Sequence, residues 1–240
     1  MITALVSIHD VMPENRRAVM HLLNELQKRV PTLKPAQITL LVVPGKNWSD
    51  DDLLWLECLQ GLGYPFAGHG WSHTALKSKT FYHHIHSLLL SRDAAEHLSQ
   101  PSKNLQTLVQ CCYEWFSNHG FYEPLLYVPP AWASGRLTLE NWQALPFKYL
   151  ETLGGVRNID SGKYYSLPLC GYEADTRMRS FFLRGFNGYN KLQAERRGKP
   201  LRIGLHPSDY KYYLSDKIFE DLRQVDRFIS YDSSYSLAGC

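Results

Sequence analysis

Short apolar runs alternate with segments of helical periodicity along most of the chain. Residues 2–8 (ITALVSI), 38–43 and 201–205 are rich in Val, Ile and Leu, which is typical of strands buried on both faces of a sheet. Pro13 and Glu14 follow the first run and open a helical pattern. Its apolar residues, three or four positions apart, are Val19, Leu22, Leu23 and Leu26. The beginning of the chain therefore predicts a strand followed by an amphipathic helix.

The same alternation continues towards the end of the chain. The further predicted elements are a helix that Ser49-Asp50-Asp51-Asp52 caps and that runs to Gly61, a strand at 64–67, helical segments over about 83–119 broken near Pro101, a strand at 125–128, a helix from about Thr138, a helix over about 215–224 and a last apolar run near Phe228. Residues 147–183 show no clear period. Strands that alternate with helices favour parallel βαβ units, in either a barrel or a doubly wound sheet. No repeat or low-complexity linker divides the chain, so we expect one domain over residues 1–240.

Polar and aromatic side chains follow four of the predicted strands. They are His9 and Asp10 after the first strand, His69 and His73 after 64–67, Pro129, Pro130, Ala131 and Trp132 after 125–128, and His206, Pro207, Ser208 and Asp209 after 201–205. In both candidate architectures, functional residues collect at the carboxyl ends of the strands. The four clusters therefore predict one site.

The spacing of His69 and His73 suits a metal ion, because residues four apart share a face if the segment begins a helix. Two imidazoles and one carboxylate, here from Asp10, form a common open set for a catalytic divalent metal. Each residue alone has a simpler interpretation. Asp10 fits a turn before Pro13, a single His or Trp fits the core, and only their shared location favours a site.

A second histidine cluster, His83, His84 and His86, lies inside a predicted helix with no acidic neighbour beside it. We interpret it as a solvated helix face and expect neither His83 nor His86 to bind a metal.

The charge balance and the cysteines narrow the class of protein. The chain has 26 Lys and Arg against 23 Asp and Glu, a net charge of +3 that is too mild to indicate nucleic-acid binding. Its five cysteines show no CxxC spacing, which favours reduced thiols in a cytoplasm and argues against a cysteine-built zinc site. No basic leader or 18-residue apolar run is present, so we expect a cytoplasmic protein without a membrane span.

In order and rough spacing, the four clusters resemble the polysaccharide deacetylase superfamily (NodB-homology, carbohydrate esterase 4-like). The matching segments are Ser7-Ile8-His9-Asp10, His69-x-x-x-His73, Pro129-Pro130-Ala131-Trp132 and Leu205-His206-Pro207, and they look closest to branches with an IHD first motif. The resemblance implies a single-domain distorted (β/α) barrel of about seven mostly parallel strands. It also implies a divalent metal, usually zinc.

Position by position, the resemblance assigns Asp10, His69 and His73 as metal ligands and His206 as the general acid. Trp132 corresponds to the family's groove aromatic, with nearby backbone N–H groups that polarise the oxyanion. We add Trp71 and Pro130 as candidate substrate contacts. Asp209 is expected to orient His206 or to stabilise its charge.

Three positions depart from the family pattern. The family's general base is an Asp before the metal Asp, where this chain has His9, and the Arg that holds that base is replaced by Val128. The fourth motif has no convincing match, although Asp160 is a candidate for its Asp. His9 therefore has three candidate roles: general base, a group that holds Asp10 or a metal-bound water, or a packing residue.

The expected function is metal-dependent hydrolysis of an amide, in particular N-deacetylation of an acetylated amino sugar or a related small N-acyl compound. A cytoplasmic sugar or a lipid-linked sugar precursor suits a chain without an export signal better than a cell-wall polymer. One alternative is another C–N hydrolase on the same site, such as a deformylase or a cyclic-amide hydrolase. The other is a catalytically inactive metal- or sugar-binding module.

Overall fold

The strands within the described residues belong to one connected sheet. A computed structural model describes residues 1–72, 97 and 101–231. Its strands are β1 Thr3–Val11, β2 Ile38–Val42, β3 Phe66–Gly68, β4 Leu126–Tyr127, β5 Tyr149–Thr152, β6 Gly155–Asn158, β7 Tyr164–Ser166, β8 Leu169–Gly171, β9 Leu201–Leu205 and β10 Arg227–Ile229. Its helices are α1 Arg16–Arg29, α2 Asp50–Gly61, α3 Ser102–Asn118, α4 Leu139–Gln143, α5 Arg177–Arg197 and α6 Ser215–Arg223.

The sheet is mostly parallel and curls into a distorted barrel. Its strand order is β7-β6-β5-β4-β3-β2-β1-β9-β8, and β10 pairs with β1 beside β2. All neighbours from β5 to β8 along this path are parallel, whereas β6 and β7 add an antiparallel extension to β5. The predicted fold class, a distorted (β/α) barrel of about seven mostly parallel strands, is confirmed. That one domain spans residues 1–240 stays a prediction.

Side chains alternate between the two faces of the sheet, as strand geometry requires. On β1, Ala4, Val6 and Ile8 pack under the helices, in a core that includes the predicted apolar face of α1. Leu5 faces the barrel interior, where it joins a smaller cluster with Leu41, Ala67, Leu126, Trp132 and Tyr149. The described residues of the four predicted clusters lie at the carboxyl ends of the strands that form this interior face.

Several predicted elements are confirmed nearly to the residue. Helix α2 begins after Ser49, whose hydroxyl accepts a hydrogen bond from the backbone N–H of Asp52 at 3.3 Å, and it ends at Gly61. Strand β9 occupies the predicted residues, and the predicted helix near 215–224 is α6. Of the helical segments expected over 83–119, α3 is the second, and the first lies outside the described residues. No helix in the described ranges has the length and apolar character that a bilayer crossing requires.

Arg202 joins the two ends of the curled sheet. It projects from β9, and its guanidinium donates hydrogen bonds to the carbonyls of Thr152 and Leu153 at 2.6 Å and of Leu167 at 2.8 Å. It also pairs with Glu151 on β5 at 3.1 Å, and both side chains are 1 % exposed. Because β5 and β8 are not paired by a backbone ladder, this side chain closes the barrel where strand pairing does not.

Candidate active site

Residues from all four predicted clusters meet at the carboxyl end of the barrel. The ring of His9, at the end of β1, has its centroid 5.0 Å from that of His69, 4.8 Å from that of His206 and 4.7 Å from that of Trp132. These residues follow β3, β9 and β4, so four strands contribute to one group of rings. His73, His83 and His86 lie outside the described residues.

The backbone at Asp10 explains how two adjacent residues reach the same site. Neighbours on a regular strand face opposite sides of the sheet. Asp10 instead has a φ of +53°, and the pairing of β1 with β2 is irregular between Ile8 and Val11. The amide of Asn15 donates a hydrogen bond to the Asp10 carbonyl at 3.0 Å and holds this conformation. A non-glycine residue with positive φ stores strain, which is characteristic of functional sites.

His69 is held with one ring nitrogen towards Asp10. Its Nδ1 lies 2.7 Å from the carbonyl oxygen of Val128, and a carbonyl only accepts, so we assign the proton to Nδ1. In the neutral ring the lone pair is then on Nε2, which lies 3.3 Å from Asp10 Oδ1. Histidine metal ligands are typically oriented in this way, by a backbone carbonyl on the other nitrogen.

The distance between these two donors suits a divalent ion. Ligands about 2.0–2.2 Å from a tetrahedral zinc lie roughly 3.3–3.6 Å apart, and Asp10 and His69 meet this spacing. The third predicted ligand, His73, is outside the described residues, and no group of three or more His, Cys, Asp and Glu side chains suited to a metal occurs within them. The two described ligands of the predicted three therefore fit a metal by their donor types and their separation.

His206 lies between carboxylates. Asp209 Oδ2 accepts a hydrogen bond from the backbone N–H of His206 at 2.8 Å and lies 3.9 Å from its ring Nδ1. Burial lowers the pKa of His206, but the carboxylates of Glu173, Asp209 and Asp10 outweigh this effect, so the pKa is raised above its ordinary value. Burial also raises the pKa of Asp209 to about 7, against the opposing influence of His206. Asp209 thus fixes the backbone of His206 and contributes to the raised pKa of its ring. Its catalytic role stays a prediction.

Two buried polar atoms point to a site that receives a ligand or water. Among the described residues, His206 Nδ1 and Asp209 Oδ1 have no hydrogen-bond partner. Native proteins rarely bury such atoms unsatisfied, and those that occur are often functional.

Glu173 and Arg179 are site residues that the sequence did not reveal. Glu173 comes two residues after β8, and Arg179 Nη2 lies 3.5 Å from its carboxylate. Arg179 Nη1 also pairs with Asp175 at 3.2 Å. The rule that function follows strand ends would have found Glu173, but β8 has only three residues and lies in the stretch without clear periodicity.

Asp160 is not part of this group. It follows β6, which runs antiparallel to β5, so it lies at the opposite end of the sheet from the site, and it is exposed. Glu173, and not Asp160, is a carboxylate that raises the pKa of His206.

The turn that carries Trp132 has a strained backbone. Ala131 and Trp132 both have a φ of +53°, and the indole N–H of Trp132 donates to Glu151 Oε1 at 2.8 Å. The backbone N–H groups of Trp132 and Ala133 donate to the carbonyls of Pro129 and Pro130 within the turn. These two donors are therefore engaged, and the predicted oxyanion contact requires other N–H groups.

The remaining predicted substrate contacts lie at different depths. Pro130 is buried in the strained turn. Trp71 is half-buried and packs against the core beneath the helices, with its carbonyl accepting from the N–H of Gly45 at 2.7 Å. Gly45 must be glycine here, because a Cβ at this position would lie 2.6 Å from the Trp71 ring.

His9 forms the floor of the site. It is 1 % exposed, and its Nε2 lies 3.4 Å from the hydroxyl of Ser7, two residues earlier on the same face of β1. A Cβ at Gly204 would lie 3.1 Å from the same nitrogen, so the absence of a side chain there gives the ring its space. The His9 ring therefore lies in the barrel interior, directly beneath the other residues of the site.

Comparison with solved structures identifies the architecture. The xylanase CE4 domain from the hindgut metagenome of Trinervitermes trinervoides aligns over 96 % of this chain and 87 % of its own, with a TM-score of 0.52 and 13 % identity. The family 4 acetyl xylan esterase from Clostridium thermocellum, in complex with a cobalt ion, aligns over 96 % and 88 %, with a TM-score of 0.51 and 13 % identity. The chain has the CE4 fold.

A third match with the CE4 fold is a variant of a CE4 family pseudoenzyme with restored enzymatic activity. It aligns over 95 % of this chain and 65 % of its own, with a TM-score of 0.52 and 10 % identity. No family sequence model and no curated protein matches the chain. The CE4 fold is the fold that the motif resemblance implies, and at these identities the likeness concerns the fold alone.

Proposed function

We propose that the protein is a metal-dependent amide hydrolase that removes the acetyl group from an acetylated amino sugar or a related small N-acyl compound. The observation that carries the proposal is the Asp10 carboxylate 3.3 Å from His69 Nε2, with His206 beside them at the mouth of the barrel. The esterase of the same fold in complex with a cobalt ion supports a divalent metal as cofactor. Zinc is the ion we propose, and a carbohydrate or other small molecule is the substrate class.

Asp10, His69 and His73 are the proposed ligands. A divalent ion held there supplies Lewis-acid polarisation of the acyl group and lowers the pKa of water. Val128 holds the His69 ring through its carbonyl, so that Nε2 stays directed towards Asp10.

His206 is the proposed general acid, which protonates the nitrogen of the leaving amine. An acid needs its proton at the working pH, and the raised pKa of His206 favours the protonated ring near neutrality. Glu173 supplies negative charge that keeps the proton on the ring. Asp209 fixes the turn of His206 through its bond to the backbone N–H.

The proposed role of His9 is to fix the positions of the His69 and His206 rings. A general base must reach the attacking water, whereas the His9 ring is 1 % exposed and directs Nε2 towards Ser7. Its ring makes a T-shaped contact with that of His69, at an interplanar angle of 85°, and lies at 34° to that of His206. These contacts favour a role in fixing the two functional imidazoles over a role as base.

An inactive metal- or sugar-binding module is the second candidate. It is favoured by His9 and Val128 in the positions of the family's Asp–Arg pair, and a CE4 pseudoenzyme shares the fold. No observation among the described residues favours a deformylase or a cyclic-amide hydrolase. The cytoplasmic location stays a prediction.

Amine release separates the two candidates. Purified protein is incubated with a panel of N-acetylated amino sugars and small N-acyl amines, with and without a chelator, and the free amine is quantified. We expect release that stops on chelation and returns with zinc or cobalt. Sugar binding without release from any member of the panel would instead identify a binding module. The His206→Ala variant is the matched control, because it should retain the metal and lose turnover by about 10²–10⁴-fold.

A further inference from the structure

Helix α5 exposes an apolar face to solvent. Its exposed apolar side chains are Met178 (65 % exposed), Phe181 (77 %), Phe182 (44 %), Tyr189 (60 %) and Leu192 (40 %). Isolated exposed apolar residues are common on soluble proteins, but several on one helix mark an interaction site. These five side chains are called the α5 stripe below.

The stripe occupies one side of the helix, with arginines along its edge. At about 100° per residue, the five side chains fall within an arc of roughly 100°. Arg177 and Arg184, seven residues apart and exposed, lie next to one another along one border of this arc. Lys191 continues the row but is engaged by the buried carboxylate of Asp221.

Basic charge is concentrated on this helix. It contains six Lys and Arg residues and one acid, Glu195, so it carries a net charge of +5, whereas the whole chain carries +3. The remainder of the chain is therefore slightly acidic. Close to Tyr189, a groove of about 220 Å³ has Arg197 and Lys199 among its lining residues. Apolar and basic groups thus share one surface.

This combination favours a lipid surface over a second copy of the chain. Helices that lie in a membrane interface bury aromatic and aliphatic side chains at the headgroup boundary, and their Lys and Arg residues contact anionic lipids. A two-fold contact through the α5 stripe would instead bring equivalent patches of like charge together, which opposes association. Anionic headgroups complement the charge that this face carries.

We propose that the α5 stripe docks the protein on an anionic phospholipid membrane. Met178 and Phe181 enter the headgroup region, while Arg177 and Arg184 bind lipid phosphates. The first turn of α5 also reaches the site, because Arg179 is buried and pairs with Glu173 after β8. Docking through the amino-terminal half of the helix would bring the barrel mouth close to the membrane. If the proposed function holds, this position suits an acetylated sugar carried on a lipid.

Vesicle sedimentation tests the docking. The full chain is mixed with vesicles of phosphatidylcholine alone or of phosphatidylcholine with phosphatidylglycerol, and the bound fraction is measured at low and high salt. The test variants are Phe181→Ser and the pair Arg177→Glu with Arg184→Glu. Tyr122→Ser is the matched control, since Tyr122 is 79 % exposed and lies outside α5. Circular dichroism and a melting temperature confirm that each variant folds.

We expect binding to anionic vesicles that weakens with salt and is at least tenfold weaker to neutral ones. Phe181→Ser should weaken binding by about tenfold, and the double variant Arg177→Glu with Arg184→Glu by about 25-fold or more, whereas Tyr122→Ser should not change it. The proposal would be overturned if the protein does not bind anionic vesicles or binds both kinds of vesicle equally. It would also be overturned if Tyr122→Ser weakens binding as much as the test variants do. If the protein does not bind vesicles, and light scattering instead shows a dimer that Phe181→Ser dissociates, the α5 stripe is a self-association surface.

The docking and the proposed function can fail separately. Hydrolysis of a soluble N-acetyl amino sugar does not need the stripe, so Phe181→Ser should retain that activity. The His206→Ala variant should show the opposite behaviour: it should lose activity on the soluble substrate and bind vesicles as the unaltered protein does. The two variants together would show that docking and catalysis depend on different residues.

Discussion

The indole N–H of Trp132 donates a 2.8 Å hydrogen bond to Glu151, at the same carboxylate oxygen that pairs with Arg202. The other oxygen of Glu151 accepts from the hydroxyl of Tyr231. One buried carboxylate thus connects the strained turn of the site to the side chain that closes the barrel. The conformation of Trp132 and the closure of the sheet are therefore expected to be lost together.

Replacing Glu151 with Gln should destabilise the protein by about 3 kcal/mol, because it leaves the buried Arg202 without its counter-charge. Urea unfolding measures the free energy. Glu140→Gln is the control, since Glu140 is exposed on α4. The control should change the free energy of unfolding by no more than about 0.5 kcal/mol. If Glu151→Gln changes it as little, the ion pair does not have the assigned role.

Asp10→Asn should lower the bound metal, because the neutral amide is a poorer ligand than a carboxylate for a divalent ion. Elemental analysis of the purified variant measures the metal per chain. Asp160→Asn is a matched control at the opposite end of the sheet and should keep the metal content of the unaltered protein. If both variants bind metal equally, Asp10 is not a ligand.

Glu173→Gln should move the alkaline limb of the rate profile to lower pH. The Glu173 carboxylate raises the pKa of His206, so its removal lets the acid lose its proton earlier as the pH increases. The dependence of kcat/KM on pH, measured with a soluble substrate, gives the midpoint. Glu195→Gln, an exposed change on α5, should leave the midpoint unchanged. If the alkaline limb does not shift in Glu173→Gln, Glu173 does not influence the pKa of the general acid His206.

Asp209 should make the chelated protein less stable as the pH rises from about 4 to about 7. Its pKa is raised to about 7 in the folded protein, from an ordinary value of 3.8. Between these values the folded state holds a proton that the unfolded state has released, so the free energy of unfolding falls as the pH increases. His206 contributes in the same direction only above its ordinary pKa of 6.5, because its pKa is also raised in the folded state.

The Asp209→Asn variant isolates this contribution. The amide oxygen can still accept from the backbone N–H of His206, but the group no longer titrates. Urea unfolding at several pH values should show a shallower slope between pH 4 and 7 in the variant. Identical slopes would show that Asp209 is ionised in the folded protein over this range.

The elements that could be predicted from the sequence are those whose pattern matches a single buried face. Helix α1 buries Val19, Leu22, Leu23 and Leu26 at regular spacing, and β9 is a continuous apolar run. The strand-end rule then brought His9, Asp10, His69 and His206 together, since parallel strands direct their carboxyl ends to one side.

What remained hidden has a physical reason in each case. Helix α5 has apolar residues on its exposed side as well as on its buried side, so it shows no single apolar face. Strands β7 and β8 have three residues each, too few for an alternating pattern to emerge. Glu173 and Arg179 depend on these elements, and they could not be assigned before the elements themselves were known.

The central position of β1 has a consequence for how the chain is made. Strand β1 pairs with β9 along one edge through Ala4 to Ile8, although about 190 residues separate the two strands in sequence. At 5–20 residues per second, the ribosome needs roughly 10–40 s to complete β9 after β1 has been synthesised. For that time one edge of a strongly apolar strand has no native partner. The nascent chain therefore presents a template for intermolecular pairing, and this interval is when it most needs protection from aggregation.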